Sequence, residues 1–312
     1  MHKIIYTLFL IIGCTDIPRY QGPVQRIVCL TSKEDMPYVK SELKSFFSDT
    51  IFTPQAENKY DILFRDFLDL NDYKFHSNII IASIESPLDS TVDLYTNRYR
   101  DRLDSTYSIF NTDDAFTKNQ SLLCMFYKDS LSLSIGLSSN EKWIKSKIDE
   151  RINKNNINRY IGKSQNDSIK SLIIDLFNLE IIVHTDYKVL GSGSDYLWIG
   201  RGTPYRWIIF QDIDSNYKSN FSSIENKVNE LSYIDIIDKY RHIDKRSIDT
   251  KSVDFFRGVY ETDETGGPFI SYVIRTNNKN ILVSSFVNNP GFDKLPILIQ
   301  QEAIIENMKI ME

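Results

Sequence analysis

Cysteine is scarce in this chain, with three in 312 residues: Cys14, Cys29 and Cys124. None belongs to a Cys-x-x-Cys unit, so a zinc finger, a dithiol redox centre and a disulfide framework all lack their ligands. Histidine is nearly as rare, and His2, His76, His184 and His242 include no pair at the i, i+4 spacing of a helical zinc site. His184 and Asp186, two apart, read as a solvated strand end. Neither a metal nor an organic cofactor is expected. Glycine and proline are few, and Gly191-Ser192-Gly193-Ser194 fails as a phosphate loop because no Gly-Lys-Ser/Thr follows it. The same stretch lacks the Gly-x-Ser-x-Gly elbow of a serine hydrolase and reads as a turn. Basic blocks are missing too. With Lys+Arg 37 against Asp+Glu 42 the net charge is -5, which provides no positive field for a phosphate backbone, so nucleic acid is not an expected partner.

What is present is ample apolar material: 41% hydrophobic and 12% aromatic residues supply a sizeable core. The longest apolar run, Ile4 to Ile12, follows Met-His-Lys and ends at Gly13-Cys14. A short basic start, an apolar run and a small residue form the layout of a secretory signal. As a helix the run would rise about 1.5 Å per residue, roughly half of a ~30 Å hydrocarbon core, so it is not a spanning segment. Ile11-Ile12-Gly13-Cys14 resembles the lipobox of bacterial lipoproteins, whose cysteine thiol accepts a diacylglycerol group. That resemblance implies a signal peptide over 1–13, cleavage before Cys14, and two acyl chains that hold the chain firmly on a membrane. Residues 14–25, with Pro18, Gly22 and Pro23, read as a flexible tether. The competing reading makes the run a buried first element and Cys14 an ordinary thiol.

The body, 26–312, alternates helical and strand-like segments. Met36, Val39, Leu43 and Phe46 stand at helical spacing in Lys33–Ser48. Ser138 and Glu141 form a capping box before Ile144, Ile148 and Ile152. Further helices are predicted over Gln165–Leu179 and, behind an Asp293 cap, over Lys294–Lys309. Strands are predicted at Arg26–Thr31, Tyr60–Phe64, Asn78–Ile84, Ser121–Tyr127, Glu180–His184, Tyr196–Gly200, Arg206–Gln211, Val253–Tyr260, Pro268–Thr276 and Asn280–Val287. Cys29 and Cys124 fall in two of these, read as neighbouring strands with free thiols, although export would permit a disulfide. Turns at Gly200–Pro204 and Asn277–Lys279 predict antiparallel hairpins. The fold class is therefore α+β, with mixed, largely antiparallel sheets packed by amphipathic helices. Strand-helix openings at Arg26 and Ser121 also suggest two similar halves, 26–118 and 119–312.

The candidate ligand-binding residues are Trp198, Arg201, Arg206 and Trp207, two aromatic strands about an arginine turn. Aromatic faces beside guanidinium groups hold sugars, peptides or anions. The plainer alternative is that both tryptophans anchor the core while the arginines pair with surface acids. Glu261, Asp263 and Glu264 lack the ligand spacing of a calcium loop.

Gly266-Gly267-Pro268-Phe269-Ile270-Ser271-Tyr272, then Phe286-Val287, Pro290-Gly291-Phe292-Asp293-Lys294 and Gln301-Glu302-Ala303-Ile304, resembles the C-terminal part of the domain of unknown function 4837 family. Trp198, Arg201, Thr203 and Pro204 resemble its Trp-x-x-Arg-x-Thr-Pro stretch, with Gly202 where an acidic residue is expected. The resemblance covers about 196–310. It implies a lipoprotein of Bacteroidetes and no catalytic residue. Gly266 and Gly267 permit positive φ or close backbone approach, and Pro268 suits an edge or first strand position. Phe269, Tyr272 and Phe286 are expected to pack against the C-terminal helix. Asp16 alone does not make an acidic run, which places the lipid on the periplasm-facing side of the outer membrane. The expected function is a non-enzymatic envelope lipoprotein that binds a protein, glycan or lipid. The alternative is an envelope hydrolase whose site assembles from scattered residues.

Overall fold

The computed structural model describes residues 18–84, 109–161, 164–276 and 279–311. Cys14, the signal segment 1–13 and the turn residues Asn277 and Asn278 lie outside the described residues. The first sheet and its connections are β1 (Arg26–Thr31), α1 (Met36–Phe46), the hairpin β2 (Thr50–Phe52) and β3 (Ala56–Asn58), β4 (Asp61–Asp66), a short α2 (Leu70–Tyr73), β5 (Asn78–Ile84), β6 (Ile109–Asp113) and β7 (Ser121–Tyr127). Strand order is β4-β1-β5-β7-β6, with every pair parallel except β6–β7. Parallel strands covered on both faces need continuous apolar runs, and Ile79–Ala82 and Leu122–Met125 are buried throughout.

Two successive helices, α3 (Ser130–Ser139) and α4 (Glu141–Ile161), follow. Asp129 caps α3, accepting from the Ser132 N–H at 2.7 Å. The predicted capping box is not formed, because Ser138 is already helical and its hydroxyl donates to the Ser134 carbonyl at 3.0 Å.

The remainder comprises α5 (Asp167–Phe177), β8 (Leu179–Glu180), β9 (Lys188–Ser192), β10 (Tyr196–Arg201), β11 (Tyr205–Ile213), α6 (Phe221–Val228), β12 (Asp235–Ile236), β13 (His242–Ile248), β14 (Lys251–Glu261), β15 (Gly266–Arg275), β16 (Asn280–Asn288), α7 (Leu295–Glu306) and β17 (Lys309–Ile310). Here the sheet is wholly antiparallel, in the order β12-β14-β15-β16-β11-β10-β9 with β13 also on β14. The strand predicted over Glu180–His184 shrinks to the two residues of β8, paired with β17.

The helix α7 is apolar nearly all round, as a helix enclosed in protein must be. It lies on the inner face of the antiparallel sheet, and its Leu298 and Ile305 join Ile27 and Leu123 of the first sheet in one continuous core. On the sheet's outer face α6 packs Phe221 and Ile224 against Phe256, Phe269 and Phe286. The chain is α+β as expected, but its two sheets are not alike. One is mainly parallel and the other antiparallel, and the suggested boundary at 118/119 falls between the paired strands β6 and β7.

Two further expectations change. Cys29 on β1 and Cys124 on β7 are not on neighbouring strands, since β5 runs between them with Ile80 opposite Cys29 and Ile81 opposite Cys124. They face opposite sides of the sheet and are free. The flexible-tether expectation for 14–25 fails from Pro18 onward: the Pro18 carbonyl accepts from the Lys118 N–H at 3.0 Å, and the Gln21 N–H donates to Phe75 at 2.7 Å.

Candidate ligand-binding cavity

The register of β10 and β11 sets Arg201 opposite Arg206, Trp198 opposite Ile209 and Gly200 opposite Trp207. Side chains alternate along a strand, so both arginines project to the inner face and both tryptophans to the outer. The four do not converge, because the sheet lies between them. Arg201 pairs with Asp186 at 2.9 Å and lies over the Tyr187 ring, while the buried Arg206 donates to Gln300. Trp207 stacks on Phe286 at 5.7 Å within the outer cluster that Trp198 also joins.

Gly266, Gly267, Pro268, Phe269 and Tyr272 lie on β15, and Asp293 lies just before α7. A Cβ on Gly267 would stand 2.0 Å from the Val287 carbonyl oxygen, so the motif's second glycine is needed for close strand approach. Pro268 is the third residue of a central strand rather than an edge, but the ladder to β16 begins only at Phe269. Phe269 and Phe286 pack outward against α6, and only Tyr272 faces α7, contrary to the expected common packing. Asp293 does not cap α7. The carboxylate of Glu57 does, accepting from the N–H groups of Lys294 and Leu295 at 2.9 Å each.

Charged groups gather where α4, α7 and β13–β14 enclose a cavity of about 80 Å³. The pleat brings Asp244 and Arg246 of β13, Phe255 and Arg257 of β14, and Tyr272 of β15 to one face. The Arg246 and Arg257 guanidinium groups lie 4.7 and 6.0 Å from the Phe255 ring centroid. Opposite them, Glu302 and Glu306 stand one turn apart on α7, and Asp149 and Asn153 repeat that spacing on α4.

Tyr272 donates to Glu306 at 3.1 Å and Asn153 to its other oxygen at 3.2 Å. Lys59 and Tyr60 donate to Asp149 at 2.7 and 2.9 Å. Arg257 and Glu302 approach only to 3.7 Å, and neither Arg246 Nε nor Glu302 Oε1, both buried, has a hydrogen-bond partner. Burial, aided by the neighbouring Glu302, pushes Glu306 up to about 7. Burial also raises Glu302, against the pull of Arg257 and Arg246.

Tyr60, whose hydroxyl donates to Asp149 of this cavity, also lines an open cleft of about 730 Å³. Two of the cleft's three carboxylates are engaged, Asp61 by Arg26 at 2.7 Å and Glu57 by α7, while Asp293 is exposed to solvent. Unpaired polar atoms therefore favour the smaller space. Of its residues, the sequence had singled out Glu302 and Ala303 as parts of a motif and Ile152 as part of a helix face, none of them as a site. The readable signal was a pair of glutamates four apart in an otherwise apolar helix. Among the described residues no group of three or more His, Cys, Asp and Glu could hold a metal ion, and no helix is long and apolar enough to cross a membrane.

Residues 166–307 match the family model described as a domain of unknown function (DUF4837). The second half of the chain is similar to that family. Arg246, Arg257, Glu302 and Glu306 fall within the matched stretch, whereas Lys59, Asp149 and Asn153 precede it, so the cavity forms where that stretch meets the rest of the chain. No curated protein matches the chain.

Similar solved structures include a protein from Bacteroides thetaiotaomicron VPI-5482, at 12% identity and TM-score 0.28 over 43% of this chain and 46% of that one. The match thus spans less than half of the Bacteroides protein. LpqN, involved in cell envelope biogenesis of Mycobacterium tuberculosis, aligns at 13% identity and TM-score 0.28 over 43% of this chain and 83% of its own. PsbP (CyanoP) from Synechocystis sp. PCC 6803 aligns at 10% and 0.29, over 43% and 86%. Superpositions this loose carry no functional argument.

Proposed function

We propose that the protein is a cell-envelope lipoprotein, held by diacylglycerol on Cys14, whose body is a non-enzymatic binding module. The anchoring is supported by the apolar run that ends at Gly13-Cys14. The binding role rests on one observation: oppositely charged walls face each other across a cavity while Arg246 Nε and Glu302 Oε1 make ion pairs at 3.5 and 3.7 Å but no hydrogen bond. Buried polar groups are nearly always satisfied, so a polar occupant is the natural completion of this arrangement. A space of about 80 Å³ is too small for a glycan or a lipid, which narrows the partner to a small molecule. The lone Asp16 favours the periplasm-facing side of the outer membrane.

Glu306, at about 7, favours a second reading in which the site moves protons in an envelope hydrolase. No Ser, Thr or Cys is among the described residues that line the cavity, so that reading would need Lys59, a carboxylate such as Asp149, or a water as the nucleophile.

Fractionating cells that express the full chain or its Cys14→Ser variant tests the anchoring. The expected result is a membrane-bound chain whose N-terminal peptide carries diacylglycerol on Cys14, with the variant unmodified. A chain that keeps its first 13 residues, or fractionates with the cytosol, would overturn it.

A further inference from the structure

We propose that the cavity between α7 and β13–β14 binds a small zwitterion, a molecule of the α-amino-acid type with one carboxylate and one ammonium group. This deepens the binding reading above and rests on it.

The two walls carry opposite charge and are only loosely paired. On the sheet side, Arg246 pairs with Asp244 of its own strand at 3.5 Å, and Arg257 pairs with Glu302 across the gap at 3.7 Å, both longer than a good hydrogen bond. Planar guanidinium groups fixed over Phe255 present donors in the fork geometry that a carboxylate accepts. On the helix side, Glu302 keeps one oxygen without a hydrogen bond, to which an ammonium group can donate. A lone anion would sit before the Glu302 carboxylate, and a lone cation before two guanidinium groups. Only a molecule bearing both charges suits both walls.

The gap is held open from both ends of α7. Glu57 fixes its N-terminus, and Asn307, just past its last residue, donates to Asn153 of α4 at 2.8 Å. Helix α7 therefore cannot move bodily towards β13–β14 without breaking these anchors. The volume of about 80 Å³ holds roughly two or three waters, which matches an amino acid with a very short side chain. Ala303 lines the space and leaves it empty where a longer side chain would fill it. Arg246, with 35% of its side chain exposed, and the half-exposed Asp244 mark the way in.

Calorimetric titration of the purified full-length chain with glycine, L-alanine, acetate and methylammonium tests this. Glycine or L-alanine is expected to bind with a Kd below about 1 mM and to raise the melting temperature, with acetate and methylammonium at least about tenfold weaker. Arg257→Gln and Glu302→Gln each weaken binding by at least about tenfold, and Ala303→Leu abolishes it. Should the deeper variants fail to fold, Arg246→Gln at the mouth supplies the same readout. Folded protein showing neither heat nor a melting shift at about 10 mM of either amino acid overturns the proposal, leaving a water-filled cavity. Acetate binding as tightly as glycine also overturns it. A membrane-anchored chain that takes up neither amino acid sinks the ligand and keeps the anchor, while a cytosolic chain that binds glycine does the reverse.

Discussion

Glu57 caps a helix that begins 238 residues later in the chain, its carboxylate accepting from the backbone N–H groups of Lys294 and Leu295. The hydroxyl of Thr53 also donates to Glu57 and steadies it. Helix starts leave N–H groups without intrahelical partners, and a carboxylate there also meets the positive end of the helix dipole. Glu57→Ala is expected to lower stability by about 1–2 kcal/mol, and Glu57→Gln by less, since the amide keeps an acceptor but loses the charge. Urea unfolding midpoints measure both. Equal losses in the two variants would mean that the charge plays no part.

The cavity predicts how stability varies with pH. Glu306 titrates at about 7 when folded, against an ordinary glutamate value of 4.5, so between these limits the folded chain binds the extra proton. Stability from this group is therefore full below about pH 4.5, falls as pH rises through the window, and is lost above about 7. The loss is on the order of 2–3 kcal/mol. Glu306→Gln reduces the slope by this group's share and leaves the variant more stable than the parent at pH 8. The substitution keeps its partners, because the amide oxygen accepts from Asn153 while the amide donates to Tyr272, whose hydroxyl can turn to accept. Thermal melts of both proteins from pH 5 to 8 read the difference, and parallel curves would count against a raised Glu306.

Legibility in the sequence followed the range of the forces. Asn78–Ile84 and Ser121–Tyr127 could be read because strands buried on both faces must be apolar along their length. The short hairpin β2–β3 could not, since three residues are too few to establish a period. The separation of Trp198 from Arg201 was readable in principle: residues three apart in a strand point to opposite faces. Asp293 was the nearest acid to α7 in sequence, yet the cap came from across the fold. The facing of Glu302 and Glu306 with Arg246 and Arg257 depends on which helix lies over which strand pair, and no local pattern encodes that.

The paired glycines of the family motif make unequal demands. A methyl group at Gly267 would meet the Val287 carbonyl oxygen at 2.0 Å, whereas one at Gly266 would meet Tyr260 O at 2.8 Å and one at Gly202 nothing within 4 Å. Gly267→Ala must push two central strands apart, at a cost of about 3 kcal/mol or more, with Gly266→Ala intermediate. Gly202→Ala should stay within about 0.5 kcal/mol of the parent. Chemical unfolding of the three variants tests the order. A tolerated Gly267→Ala would show that β15 and β16 separate at this point more easily than their register implies.

Thiol counting joins the fold to the anchor. Cys29 and Cys124 are fully buried, on opposite faces of a parallel sheet, and burial pushes both thiols up. Attack on a disulfide reagent needs a thiolate and access, and neither site offers them in the folded chain. The native protein is therefore expected to leave both unreacted, and unfolding in guanidinium to release them. Cys14 then decides the total. The sequence holds three cysteines, so an unfolded chain that titrates two has its first thiol covered, and one that titrates three has not been acylated. Rapid reaction of Cys29 or Cys124 before unfolding would show instead that the sheet opens locally, and the count would then be taken after cleavage into peptides.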